Sequence, residues 1–109
     1  MSRKKGTLAE EEAVEFLEQN GFSVVEKNFY SRFGEIDIIA LKEGVMHFVE
    51  VKSGMSYENA VNNITPAKLR KVVTTAQTYM QKKGFEGDYV FDAVIVTPDS
   101  IAHIDNITL

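Results

Sequence analysis

Apolar residues recur at helical spacing near the start of the chain. Ala9, Ala13, Phe16 and Leu17 predict a helix from about Thr7 to Asn20, stopped by Gly21. Thr7 followed three residues later by Glu10 reads as a capping box. The pattern then changes to extended segments: Phe22 to Tyr30, a turn at Ser31 to Gly34, and Glu35 to Lys42. A tight turn at Glu43-Gly44 leads into Val45 to Ser53. A polar loop, Gly54 to Asn63, separates these strands from a second helix. That helix is capped by Thr65, opened by Pro66 and ended near Gly84, with Leu69, Val72, Val73, Ala76 and Met80 as its apolar stripe. Tyr89 to Thr97 and Ile101 to Asp105 complete the pattern as strands around a turn at Pro98 to Ser100. The order is α-β-β-β-α-β with one extra C-terminal strand, which predicts an α/β fold with a mixed central sheet flanked by helices.

Strand side chains alternate between the faces of a sheet. In the second strand Glu35, Asp37, Ile39 and Leu41 share one face, and Ile36, Ile38 and Ala40 the other. In the third, Met46, Phe48, Glu50 and Lys52 share a face. Both strands are apolar on both faces, the mark of a central position, yet each carries a carboxylate among its apolar residues. A buried charge costs several kcal/mol, roughly, unless paired or coordinated, and Asp37 facing Glu50 across the hairpin would compound the cost. A divalent cation resolves it, and an all-oxygen ligand set suits Mg²⁺ or Mn²⁺ better than zinc. Lys52, one pleat beyond Glu50, would lie beside that ion. It could orient or deprotonate a water, or neutralise charge on a phosphate. The plain alternative is a salt bridge from Lys52 to Glu50 or Asp37.

With 109 residues the chain suits a single domain, residues 1–109. The absence of cysteine excludes disulfides, zinc-thiolate sites and cysteine nucleophiles. Arg3-Lys4-Lys5 resembles a signal n-region, but glutamates follow where an apolar stretch would be required. No run approaches the roughly 20 apolar residues of a membrane span, so the expectation is a cytoplasmic protein without a membrane partner. The net charge of −4 opposes a nucleic-acid partner, but its distribution does not. Residues 59–85 hold Lys68, Arg70, Lys71, Lys82 and Lys83 and no acid, so a +5 segment sits in a remainder of −9. Such a segment can steer a polyanion, although a solvated helix face is an equally good reading.

Gly34-Glu35-Ile36-Asp37 followed by Phe48-Val49-Glu50-Val51-Lys52 resembles the YraN-type bacterial proteins of the restriction-endonuclease-like superfamily. The resemblance spans nearly the whole chain. Gly6, Glu10, Ala13, Leu17 and Gly21 fit the first helix, with Ala9 where the family usually has glycine, and Asn28, Lys68 and Phe91-Asp92 fit later positions. It implies a restriction-endonuclease-like core and a Mg²⁺- or Mn²⁺-dependent endonuclease that hydrolyses phosphodiester bonds of DNA. It is also similar to archaeal Holliday junction resolvases, which brings in branched or junction DNA and a homodimer. By the same resemblance Asp37, Glu50, the carbonyl of Val51 and Glu10 would bind metal, and Asp37, Glu50, Lys52 and Glu10 would be catalytic. Lys68, Arg70, Lys71 and Ser53 would meet nucleic acid. Glu10 has an equal claim as a helix cap. Gly54 stands where the family usually has arginine, which keeps open a non-catalytic nucleic-acid or protein interaction module that retains the nuclease fold. His47 reads as structural, His103 as a partly exposed strand residue, Gln77 as solvent-facing, and Asp92 as paired with a basic residue or supporting the site.

Overall fold

The computed structural model describes residues 5–108, with side chains from Leu8 onward. Helix α1 (Lys5–Gln19) precedes three antiparallel strands, β1 (Ser23–Ser31), β2 (Gly34–Lys42) and β3 (Val45–Ser53). Then come α2 (Tyr57–Val61), α3 (Pro66–Lys83), β4 (Tyr89–Val96) and β5 (Ile101–Ile104). The five strands lie in sequence order in one sheet. Among the described strands only β3 and β4 run parallel, because the α2–α3 crossover carries the chain back between them. The protein is thus a mixed α/β fold with helices on both faces of a five-stranded sheet.

Local chemistry accounts for these elements. Glu43 and Gly44 both take positive φ (51° and 81°), the combination that two-residue hairpin turns demand. Thr65 Oγ1 accepts from the Lys68 backbone N–H at 3.3 Å, Pro66 opens α3, and Gly84 closes it at φ 67°. On one face of the sheet Ala9, Ala13 and Leu17 of α1 pack on Ile38, Ala40, Val49, Val51, Val94 and Val96. Burying Leu17 alone contributes about 2 kcal/mol. On the other face Val72, Ala76 and Tyr79 of α3 meet Phe29, Ile36, Ile39, Met46, Phe48 and Phe91.

Several expectations need correction. The segment Gly54 to Asn63 is not only a loop: Ser56 caps α2, whose Ala60 is fully buried against Ala93 and Ile95. Ile64 packs on that cluster too, while Met55 and Tyr57 are exposed. Helix α1 is assigned from Lys5, so Thr7 lies inside it and not at its N-cap. Arg3 and Lys4, and the side chains of Lys5 and Thr7, lie outside the described residues. In α3 the stripe is rotated toward Thr75 and Tyr79, and Leu69 borders a surface groove instead. Finally, Ile36 packs on the α3 side although Ile38, two residues on, packs on the α1 side. Alternation therefore breaks at Asp37, for a reason that lies in the sheet itself.

Candidate active site

The sheet forks at Asp37. Strands β2 and β3 pair from Lys42 opposite Val45 as far as Ile38 opposite Val49, and the next pair in that register would be Asp37 with Glu50. No pairing continues there. Meanwhile β1 stays with β2 to the end, Ser31 opposite Gly34, and β3 stays with β4 to Ser53 opposite Val96. The two ribbons thus diverge, and β2 is free to change the face it presents. Asp37 bridges the fork: its Oδ2 accepts the Val51 backbone N–H at 2.8 Å, replacing a ladder bond that β2 no longer offers.

A cleft of about 280 Å³ opens at this point, lined by Glu10, Glu35, Asp37, Glu50, Val51 and Lys52, with Lys68 and Lys71 on the α3 side. Asp37 is 9% exposed. Glu10, in the second turn of α1, reaches the cleft, where the Asn28 amide, oriented with its nitrogen toward the acids, donates to Glu10 Oε1 at 3.0 Å and to Glu35 Oε2 at 2.9 Å. Asn28 adopts φ 53°, a left-handed conformation that asparagine tolerates. Lys52 Nζ stands 3.9 Å from Glu50 Oε2, a long ion pair between partly exposed groups.

The electrostatics follow from this crowding. Burial, then the hydrogen bond and charge of Asp37, push the Glu50 carboxyl far above the usual carboxylate range, and Lys52 offsets only part of that. Burial and the charges of Asp37 and Glu35 raise Glu10 to about 7, although Asn28 opposes the shift. The Tyr30 hydroxyl bonds to Glu35, which raises its pKa in turn. The acids meet through Asp37 in pairs. Mg²⁺ is commonly held by one or two carboxylates with waters completing its octahedron, so a loose, all-oxygen set of this kind fits it.

The other expected residues are placed less uniformly. Arg70 borders a surface groove with Leu69, Val73 and Thr74, outside the cleft. Ser53 lines a different cleft beside Met55, Val96 and Thr97. Gln77 is exposed. Glu35 was missed as a site residue, although it shares the predicted face of Asp37 and stands two residues away, which was signal enough. A second polar centre lies on the α1 face. The fully buried Asp92 receives His47 Nδ1 at 2.5 Å and His103 Nε2 at 2.9 Å on Oδ2, and the Asn106 N–H at 3.0 Å on Oδ1. Asp92 therefore pairs with histidines and does not line the carboxylate cleft. One ligand atom each from Asp92, His103 and Asp105 lie within 4.8 Å of one another, a group that could hold a metal ion.

The profile of "Uncharacterised protein family UPF0102" matches residues 9–96. The chain belongs to this family. A UPF0102 protein of Sulfurimonas denitrificans is 59% identical over 109 residues, the full length of both chains. One from Aliarcobacter butzleri is 47% identical over 110 residues, again covering both chains. One from Helicobacter pylori strain HPAG1 is 51% identical over 106 residues, 97% of this chain and 92% of that one. The UPF0102 match contains Glu10, Asn28, Glu35, Asp37, Glu50 and Lys52, the whole carboxylate cleft. His103 and Asp105 lie beyond its end at residue 96.

Proposed function

We propose that this UPF0102 protein is a divalent-cation-dependent endonuclease with a restriction-endonuclease-like core, hydrolysing phosphodiester bonds of DNA, with branched or junction forms as the favoured substrate. The observation that carries this reading is the convergence of Glu10, Asp37 and Glu50 at the fork of the sheet with Lys52 beside them. Burial and the charge of Asp37 raise the pKa values of Glu10 and Glu50, which describes a place short of positive charge, and Mg²⁺ or Mn²⁺ supplies it. Asp37 and Glu50 would hold the ion, with Glu10 and the Val51 carbonyl completing the protein ligands.

When bound, the ion supplies a Lewis acid for the phosphoryl oxygen and a water acidic enough to act as nucleophile. The chain's own groups do the rest. Asn28 fixes Glu10 and Glu35 in place. Val51 N–H fixes Asp37. Lys52 neutralises charge that develops on the scissile phosphate, and Lys68 and Lys71 on the opposite wall hold neighbouring phosphates. A homodimer acting in the cytoplasm fits junction cleavage, which needs two cuts.

The test is cleavage of end-labelled four-way junction, flap, single-stranded and duplex DNA with Mg²⁺ or Mn²⁺, alongside Asp37→Ala/Glu50→Ala and Lys52→Ala variants. The proposal expects metal-dependent cutting that falls by roughly a hundredfold or more in each variant. A wild type that binds these DNAs equally well with or without chelator and cuts none of them would instead make the domain an interaction module.

A further inference from the structure

The centre around Asp92 has a different chemistry from the cleft. We propose that Asp92, His103 and Asp105 bind a borderline divalent transition-metal ion of the Zn²⁺ type, fastening β5 and the residues after it to the sheet. The site is independent of the carboxylate fork and does not rest on the nuclease reading.

Three observations carry it. The first is ligand spacing. His103 Nε2 lies 2.9 Å from Asp92 Oδ2 and 3.3 Å from Asp105 Oδ1, and the three atoms fall within 4.8 Å. Ligands about 2.0–2.1 Å from a tetrahedral ion stand roughly 3.3 Å apart, so small outward shifts would admit one. The second is preorganisation. Asp92 is fully buried, and the Asn106 N–H and His47 hold its two oxygens, so its orientation is set before any ion arrives. The third is access. His103 and Asp105 line an open cleft of about 540 Å³ with His47, Phe22 and Lys42, leaving room for a water or small anion at the fourth position. Lys42, the cation facing this cleft, is anchored 2.9 Å from the Asn20 carbonyl oxygen and 4.8 Å from the Phe22 ring centre.

The donor set decides the ion class. Imidazole favours zinc, cobalt or nickel over Mg²⁺, whereas the fork offers oxygen alone. Binding requires a lone pair on His103 Nε2, so the proton now shared with Asp92 leaves as the ion enters. The ion would join β4 to the four-residue edge strand β5 and to Asp105 beyond it, where the backbone ladder joins β5 to β4 only.

Tag-free protein titrated with Co²⁺ tests this through the visible absorption of the tetrahedral ion, with Zn²⁺ and Mg²⁺ as competitors. The expected result is one equivalent of Co²⁺ displaced by Zn²⁺ but not by millimolar Mg²⁺. That spectrum should persist in Asp37→Asn/Glu50→Gln. It should disappear in His103→Gln and need at least about tenfold more Co²⁺ in Asp105→Asn, a change to a side chain 76% exposed and outside the core. Zn²⁺ should also raise the melting temperature of wild type and of the fork variant, but not of His103→Gln. No absorption from wild type at saturating Co²⁺, its loss in the fork variant, or unchanged binding in Asp105→Asn and His103→Gln would overturn the proposal.

Discussion

The fork and the Asp92 centre both sink carboxylates into one small sheet, and they settle the resulting charge in opposite ways. Around Asp92 the chain supplies its own compensation. Burial alone would raise the carboxyl pKa, but hydrogen bonds from His103, the Asn106 N–H and His47 outweigh burial and hold it below its ordinary value. The same contact raises His103. At the fork, Glu10, Glu35, Asp37 and Glu50 are relieved by Lys52, the Asn28 amide and the Val51 N–H, with Lys68 and Lys71 on the α3 wall, and Glu10 and Glu50 still rise. A structural acid is one whose partners are already folded in. Asp92 is thus stable without an ion, whereas the fork acids are left short of positive charge until one arrives.

That contrast can be broken by substitution. Asp92→Ala leaves two imidazole N–H groups and a backbone N–H without their acceptor, and should cost about 3–5 kcal/mol in chemical denaturation. Glu50→Gln removes a carboxyl that must take up a proton on folding above its ordinary pKa, so in EDTA at neutral pH it should be neutral or stabilising by about 1 kcal/mol. If the two substitutions destabilise alike, the distinction between the centres fails.

A smaller effect sharpens the picture of the cleft's wall. Lys71→Ala should weaken DNA binding about threefold to tenfold and lower the salt slope by about 1, with Lys68→Ala similar. Arg70→Ala, which changes a residue outside the cleft, should change binding less. Equal losses from all three in salt-dependent binding would show that the helix attracts DNA as a whole face.

The helical phase already contained that difference: Lys68, Lys71 and Thr75 follow i, i+3 and i+7, and Arg70 does not. The strands, their order and the two central carboxylates were likewise legible, because Ile36 to Leu41 and Met46 to Lys52 are apolar on both faces and make any acid conspicuous. Other features depend on contacts distant in sequence. The reversal of Ile36 follows from β2 leaving β3, which no local pattern encodes. Asp92 takes partners from β3, β5 and the residue after Asp105, so its neutral setting could not be read from β4 alone. Helix α2 has only five residues, too few for a periodic signature, and is fixed by the Ser56 cap and the burial of Ala60.

The central claim is that the fork lacks positive charge that a divalent ion supplies, and pH reads it directly. A carboxyl at about 4.5 in the unfolded chain and higher in the folded one binds more protons when folded, between those two values. Stability from this source is therefore fully present below about 4.5 and is lost as pH rises through the folded-state values. The measurement is the carboxyl-carbon NMR titration of Glu10, Glu50 and Asp92 from acid to mildly alkaline pH, in EDTA and then in Mg²⁺. In EDTA, Glu10 should titrate near 7, Glu50 well above the ordinary carboxylate range and Asp92 below its own. Mg²⁺ should bring Glu50 and Glu10 down and leave Asp92 where it was. Ordinary titration of Glu50 in EDTA, unmoved by Mg²⁺, would contradict the account.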